Sequence, residues 1–188
     1  MFFGIDKRLG RYTNYKHSPA HLFIDQAYYI ITAHTIDNTR PFYDDERKQI
    51  LLDSIFLNFV ERNIWQMIAY FVADNHYHIL LNSKYNAKSL SKIIADIHRF
   101  TAITINKMDN KIGRQVWFQY WDTVITSENS FYARFNYIHY NPVKHGYVKR
   151  SEDYKFCSYR HYYDNNKEGI IKIMKKYPFN RVKVNEPE

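Results

Sequence analysis

IWQMIAYFVADNHYHILLN, residues 64–82, holds two apolar, β-rich runs separated by Ala73-Asp74-Asn75. Ile, Trp, Tyr, Phe and Val suit a pleated, half-buried surface, and Asp-Asn between two such runs marks a tight turn. The stretch predicts a hairpin of strand 64–72 and strand 76–82. Its second strand carries His76 and His78. Residues i and i+2 of a strand project to one face, so both imidazoles can share one ion at the strand start. Two unrelated surface histidines have the same spacing, and two imidazoles leave a cation's shell incomplete, so a third donor has to come from elsewhere.

Upstream, AYYIITAHTI (27–36) is rich in β-branched and aromatic residues and reads as a buried strand. TRPFYDDERKQ follows, with Asp44 or Asp45 as a helix N-cap and acidic residues in the first turn. Leu51, Ile55 and Phe59 then recur every four residues, predicting an amphipathic helix to about residue 63. Downstream of the hairpin, Leu90, Ile93, Ile94 and Ile97 mark a second helix ending near Lys107. VWFQYWDTVIT (116–126) alternates as a fourth strand. A helix starting at Ser127 or Glu128 runs to Tyr140, where Asn141-Pro142 is expected to stop it. YKFCSYRHYYD (154–164) predicts a short aromatic helix before a charged tail. The order strand, helix, strand, strand, helix, strand, extra helix is the split β-α-β order. It predicts an α+β fold: an antiparallel sheet with two helices on one face, plus a further helix carrying Tyr137.

If 128–140 is helical, Tyr137 and Asn141 lie four residues apart and share a face. A phenol and an amide oxygen can then address one ion, Asn141 as ligand and Tyr137 as nucleophile. A tyrosine oxygen can attack a phosphodiester and store the bond energy in a covalent phosphotyrosine. A cation orients and polarises the phosphate under attack. Tyr140 partly shares the face and is the fallback nucleophile, while His139 points elsewhere. Lys144 and His145 follow the proline turn and can meet phosphates.

The 188 residues suit one domain: a basic arm over 1–22, a core over 23–150 and an extension over 151–188. The lone Cys157 excludes an intramolecular disulfide and a cysteine-rich zinc site. No apolar run is long enough to span a bilayer, and MFFGIDKRLGRY lacks a secretory h-region. The expected location is the cytoplasm, associated with the nucleoid. Lys and Arg number 27 against 19 Asp and Glu, an excess of 8 that favours polyanions. Eighteen Tyr, 13 Phe and 3 Trp supply faces for unstacked bases, although a biased genome gives the same composition. Lys7, Arg8, Arg11, Lys16 and His17 interleave with Tyr12 and Tyr15 in the arm. The second helix adds Lys88, Lys92, His98, Arg99 and Lys107, a pattern shared with any solvated helix face.

HYHILL, then WFQYWDTVI, then YIHYNPVKHGYV resemble the HUH single-tyrosine transposases, most closely their REP-associated tyrosine transposase branch. The resemblance spans roughly residues 27–160. It implies a ferredoxin-like fold and matches His76 and His78 to the two histidines that bind Mg²⁺ or Mn²⁺. Tyr137 matches the catalytic tyrosine, and Asn141 the polar metal ligand four residues later, commonly Gln. The implied activity is nicking and joining of single-stranded DNA, often at hairpins, through a 5′-phosphotyrosine link, by a monomer or homodimer. Two positions depart from the pattern. Tyr77 replaces an aliphatic residue and needs a partner for its hydroxyl beneath the helices, and Asn141 reaches less far than Gln.

Overall fold

The computed structural model describes residues 22–61, 63–180 and 182. Strands β1 (Tyr28–Thr35), β2 (Trp65–Val72), β3 (His76–Ser83) and β4 (Trp117–Ile125) form one antiparallel sheet in the order β2-β3-β1-β4. Among the described residues the α-helices are α1 (Asp45–Phe56), α2 (Leu90–Met108), α3 (Glu128–Lys144) and α4 (Tyr159–Lys176). This is the ferredoxin-like α+β order expected, with β1 and β3 central. The basic arm, with Lys7, Arg8, Arg11, Tyr12 and Lys16, lies outside the described residues. No helix among those described is long and apolar enough to cross a membrane.

Local chemistry accounts for most element ends. Asp44 caps α1 by accepting from Arg47 N at 2.9 Å, and Asp45 and Glu46 face the positive end of the helix. A π-helical turn, Leu57–Glu61, carries α1 almost to its expected end. Ser127 caps α3 by accepting from Ser130 N.

α3 does not stop at Tyr140 as Asn141-Pro142 predicts; it continues through Pro142 to Lys144. Pro142 removes the N–H that would meet the Ile138 carbonyl. Cys157 Sγ, 4.0 Å away, donates to that carbonyl instead. Asn141 Nδ2 adds a second bond to the Tyr137 carbonyl at 2.8 Å. The expected 154–164 helix also differs: α4 begins at Tyr159 and runs to Lys176 with a break at Asn166. Asn136 Nδ2 donates to the carbonyls of Ile173 and Tyr177, tying the end of α4 to α3.

α1 and α2 cover the sheet face that buries Tyr29, Ile31, Tyr77, Ile79 and Leu81. Tyr77 finds the partner it needs there, its Oη lying 3.0 Å from His98 Nε2. His98 is stacked on Trp117 with centroids 4.2 Å apart. Its ring is thus half-buried against the sheet, packed between Tyr77 and Trp117. α3 crosses the opposite face over β2 and β3, where Ile30 and Thr32 of β1 are also buried, while on β4 Phe118 is exposed and Trp121 half-buried.

Burial holds the pKa of His98 and of His139, which packs on Phe135 and lies 2.8 Å from Ser158 Oγ, down at about 3. In an unfolded chain an imidazole titrates near ~6.5. The unfolded state therefore binds more protons between those values, so their stabilisation is complete above about pH 6.5 and drains away as pH falls toward 3. By pH 5 each histidine costs roughly 2 kcal/mol. The melting temperature followed by circular dichroism should therefore drop steeply from pH 7 to 5, and less steeply in a His98→Gln variant; a flat profile would contradict this assignment.

Candidate metal and nucleophile site

The β2–β3 turn is pinned from several directions. The Asn75 carbonyl accepts from Thr35 N and the Asp74 carbonyl from Phe42 N. Tyr147 Oη accepts from Asp74 N at 2.9 Å, and buried Lys48 Nζ on α1 forms an ion pair with Asp74 Oδ1 at 2.8 Å. His76, the residue after this turn, starts β3 in a fixed position. His78 follows on the same face, with the two rings 5.1 Å apart. Asn75 Oδ1 accepts from His76 Nδ1 at 2.8 Å, which leaves His76 Nε2 with its lone pair. That nitrogen is buried and has no hydrogen-bond partner among the described residues. Thr32 Oγ1, directly across from His78 on β1, lies 2.8 Å from His78 Nδ1.

Burial lowers both imidazole pKa values, His76 well below its ordinary value and His78 to about 3. Their mutual proximity (for His76) and the nearby His145 and Lys144 lower them further. Both rings are therefore neutral near pH 7, the form that ligates a cation. An orphaned ring nitrogen next to a second neutral imidazole, each held at Nδ1, fits half of a divalent-metal site. Among the described residues no three His, Cys, Asp or Glu side chains converge on one point, so any further donor is of another kind or must reorient.

The extra turn of α3 changes what faces this pair. Tyr137, Asn141, Lys144 and His145 now recur at helical spacing on one side, and Lys144 and His145 are placed by the helix rather than by a loop. The Tyr137 ring lies 5.3 Å from that of His78, and the residue is only 6% exposed. Lys144 Nζ donates to Tyr137 Oη at 3.4 Å and sits 5.1 Å from the ring centroid. His145 stacks on Phe71 and lies 4.8 Å from His76. Asn141 is fully buried; besides bonding the Tyr137 carbonyl, its Oδ1 accepts from His145 Nε2 at 3.1 Å. The structure thus gathers His76, His78, Tyr137, Asn141, Lys144 and His145.

Other candidates lie apart. Tyr140 packs on Phe179 at 4.7 Å. Lys92 and Arg99 pair with Asp96 on α2, across the sheet from the histidines. Thr32, Asn75 and Asp74 were missed in the sequence, where only strand pairing could have exposed Thr32. Asp74 and Asn75 had a visible signal as the turn before His76, but read as turn formers alone.

A family model described as "Transposase IS200 like" matches residues 24–141, a span containing both histidines, Tyr137 and Asn141. A Haemophilus influenzae protein named as a REP-associated tyrosine transposase is 25% identical over 140 residues, 70% of this chain and 78% of that protein. A solved REP-associated tyrosine transposase bound to a REP hairpin shares the fold, with a TM-score of 0.63 at 16% identity over 95% of this chain and 94% of that one. With the model covering well over half its length, the chain belongs to the IS200-like transposase family.

Proposed function

We propose that this protein nicks and joins single-stranded DNA through a covalent 5′-phosphotyrosine at Tyr137, recognising hairpin DNA as the REP-bound relative does. The observation that carries the reading is the approach of the Tyr137 ring to His78, beside the unpartnered Nε2 of His76. His76 and His78 would hold Mg²⁺ or Mn²⁺, with a further donor from the hydrogen-bonded Asn141–His145 pair. When bound, the cation supplies Lewis-acid polarisation of the scissile phosphate. Tyr137 Oη attacks phosphorus, forming the Tyr–O–P bond as the P–O3′ bond breaks; the phenolic proton passes to solvent and the 3′ oxygen leaves protonated. A 3′ hydroxyl attacking the same phosphorus reverses the step and joins strands. Residues 23–150 would form the catalytic core, and the 151–188 extension would brace α3 through Asn136 and Cys157.

The test is incubation with Mn²⁺ and a hairpin oligonucleotide carrying single-stranded flanks, followed by a denaturing gel. An adduct that EDTA abolishes supports the reading. DNA binding with no adduct under any divalent cation would instead favour a binding module of the same fold.

Lys144 has a distinct part in this reading. Its ammonium group, next to Tyr137 Oη, stabilises the charge that develops on the attacking oxygen. Lys144→Met should slow adduct formation about 10²-fold, with Lys144→Arg partly restoring it. Equal rates in Lys144→Met and the parent protein would remove this role.

A further inference from the structure

The β1–β4 side of the sheet face that bears the histidines carries three aromatic rings which the proposed chemistry does not use. His34 on β1 pairs in register with His76 on β3, so both project to the same face. On the other side of β1 its ring is stacked on Trp121 at 4.6 Å and 20°, and on Phe118 at 5.6 Å and 25°. A register shift between His34 and Thr35, where β1 meets β4, turns Phe118 outward beside Trp117, which is buried under α2. Phe118 is 56% exposed and Trp121 half-buried. Neither has another ring partner among the described residues, whereas Trp65 and Trp117 are enclosed. An exposed, near-parallel set of rings is costly to leave in water and is the surface on which bases stack.

The chain between β1 and α1 adds the complementary charge. Arg40 lines a cleft of about 290 Å³ with Asn38, Asn75, His76, His145 and Asp74, the last of these already paired with Lys48. A cation in the cleft and flat rings alongside match the two chemistries of a single strand, phosphate and base, and the net charge of +8 favours the polyanion.

Resting on the reading that Tyr137 acts on single-stranded DNA, we propose that His34, Trp121 and Phe118 form a base-stacking subsite for unpaired nucleotides next to the scissile phosphate. The occupant is a single-stranded DNA segment, its bases stacking on Trp121 and Phe118.

The test uses the full chain in EDTA, so that binding is read without cleavage, and a hairpin with either a normal or an abasic single-stranded flank. Trp121 is the one partly exposed tryptophan among Trp65, Trp117 and Trp121, so quenching of its fluorescence reports contact. The normal flank should quench it and bind about tenfold more tightly than the abasic flank. Trp121→Leu and Phe118→Ala should each reduce that preference severalfold, while Trp121→Phe, which keeps a ring and guards against a folding defect, should retain most of it. Equal affinity for the two flanks in the parent protein, or an undiminished preference in Trp121→Leu and Phe118→Ala, would overturn the proposal. The adduct assay separates the two claims. Adduct formation without base preference removes only the subsite, and a base preference without any adduct leaves the subsite standing while removing the chemistry.

Discussion

Tyr137→Phe should form no covalent adduct with hairpin DNA, a loss of about 10⁴-fold or more, because the substitution deletes the attacking oxygen itself. The ring would still pack against His78, and the only described side-chain bond lost is the long one from Lys144. Stability should therefore change by no more than about 1 kcal/mol, and hairpin affinity by less than severalfold. Tyr140→Phe serves as the contrasting variant, since Tyr140 packs on Phe179 away from the histidines. It should retain adduct formation. An adduct that survives Tyr137→Phe and disappears in Tyr140→Phe would move the nucleophile and require α3 to rotate. Loss in both variants, with the fold intact by circular dichroism, would point to a binding surface at Tyr140 in addition to the chemistry at Tyr137.

The histidine pair should matter almost as much. His76→Gln removes the orphaned ring nitrogen but leaves a polar side chain beside the turn, so the fold should survive. Titration calorimetry with Mn²⁺ should then show binding weakened by more than the roughly 10–100-fold that losing an outer hydrogen-bond partner costs a metal site. Asn75→Ala supplies that milder comparison, because Asn75 only orients His76 through Nδ1. Cation-dependent adduct formation should fall in the same order, parent, Asn75→Ala, His76→Gln. His78→Gln should resemble His76→Gln but be less stable, since His78 is fully buried and bonded to Thr32. Unchanged Mn²⁺ affinity in His76→Gln would mean that the cation, if one binds, is held elsewhere. Asn141→Ala and His145→Ala, measured alongside, distinguish which member of that pair contributes to the cation.

Much of this molecule follows from short-range pattern. The β2–β3 hairpin, the caps at Asp44 and Ser127, and the common face of His76 and His78 depend on alternation, turn chemistry and capping within a few residues. The departure at Tyr77 was also legible as a requirement: a phenol under the helices needs a partner. That the partner is His98, 21 positions along, and that its ring stacks on Trp117, depends on α2 docking against the sheet.

The site itself was half legible. Spacing placed Tyr137 and Asn141 on one face, but it also placed a helix end at Pro142, because a proline normally costs its helix a hydrogen bond. Cys157, 19 positions away, meets the freed Ile138 carbonyl, and no local rule could anticipate that contact. The added turn puts Lys144 against Tyr137 and His145 near His76, and it leaves Asn141 engaged with His145. Strand pairing likewise joined Thr32 to His78 and set His34 beside Trp121.

The element order, the histidine pair and the tyrosine's helix were therefore set by interactions between near neighbours in the chain, which periodicity reports directly. The surroundings of Tyr137, the tautomer of His76 and the aromatic face beside them rest on hydrogen bonds and packing between segments far apart in sequence. Such contacts form only when the sheet has chosen its register and α3 has settled across it.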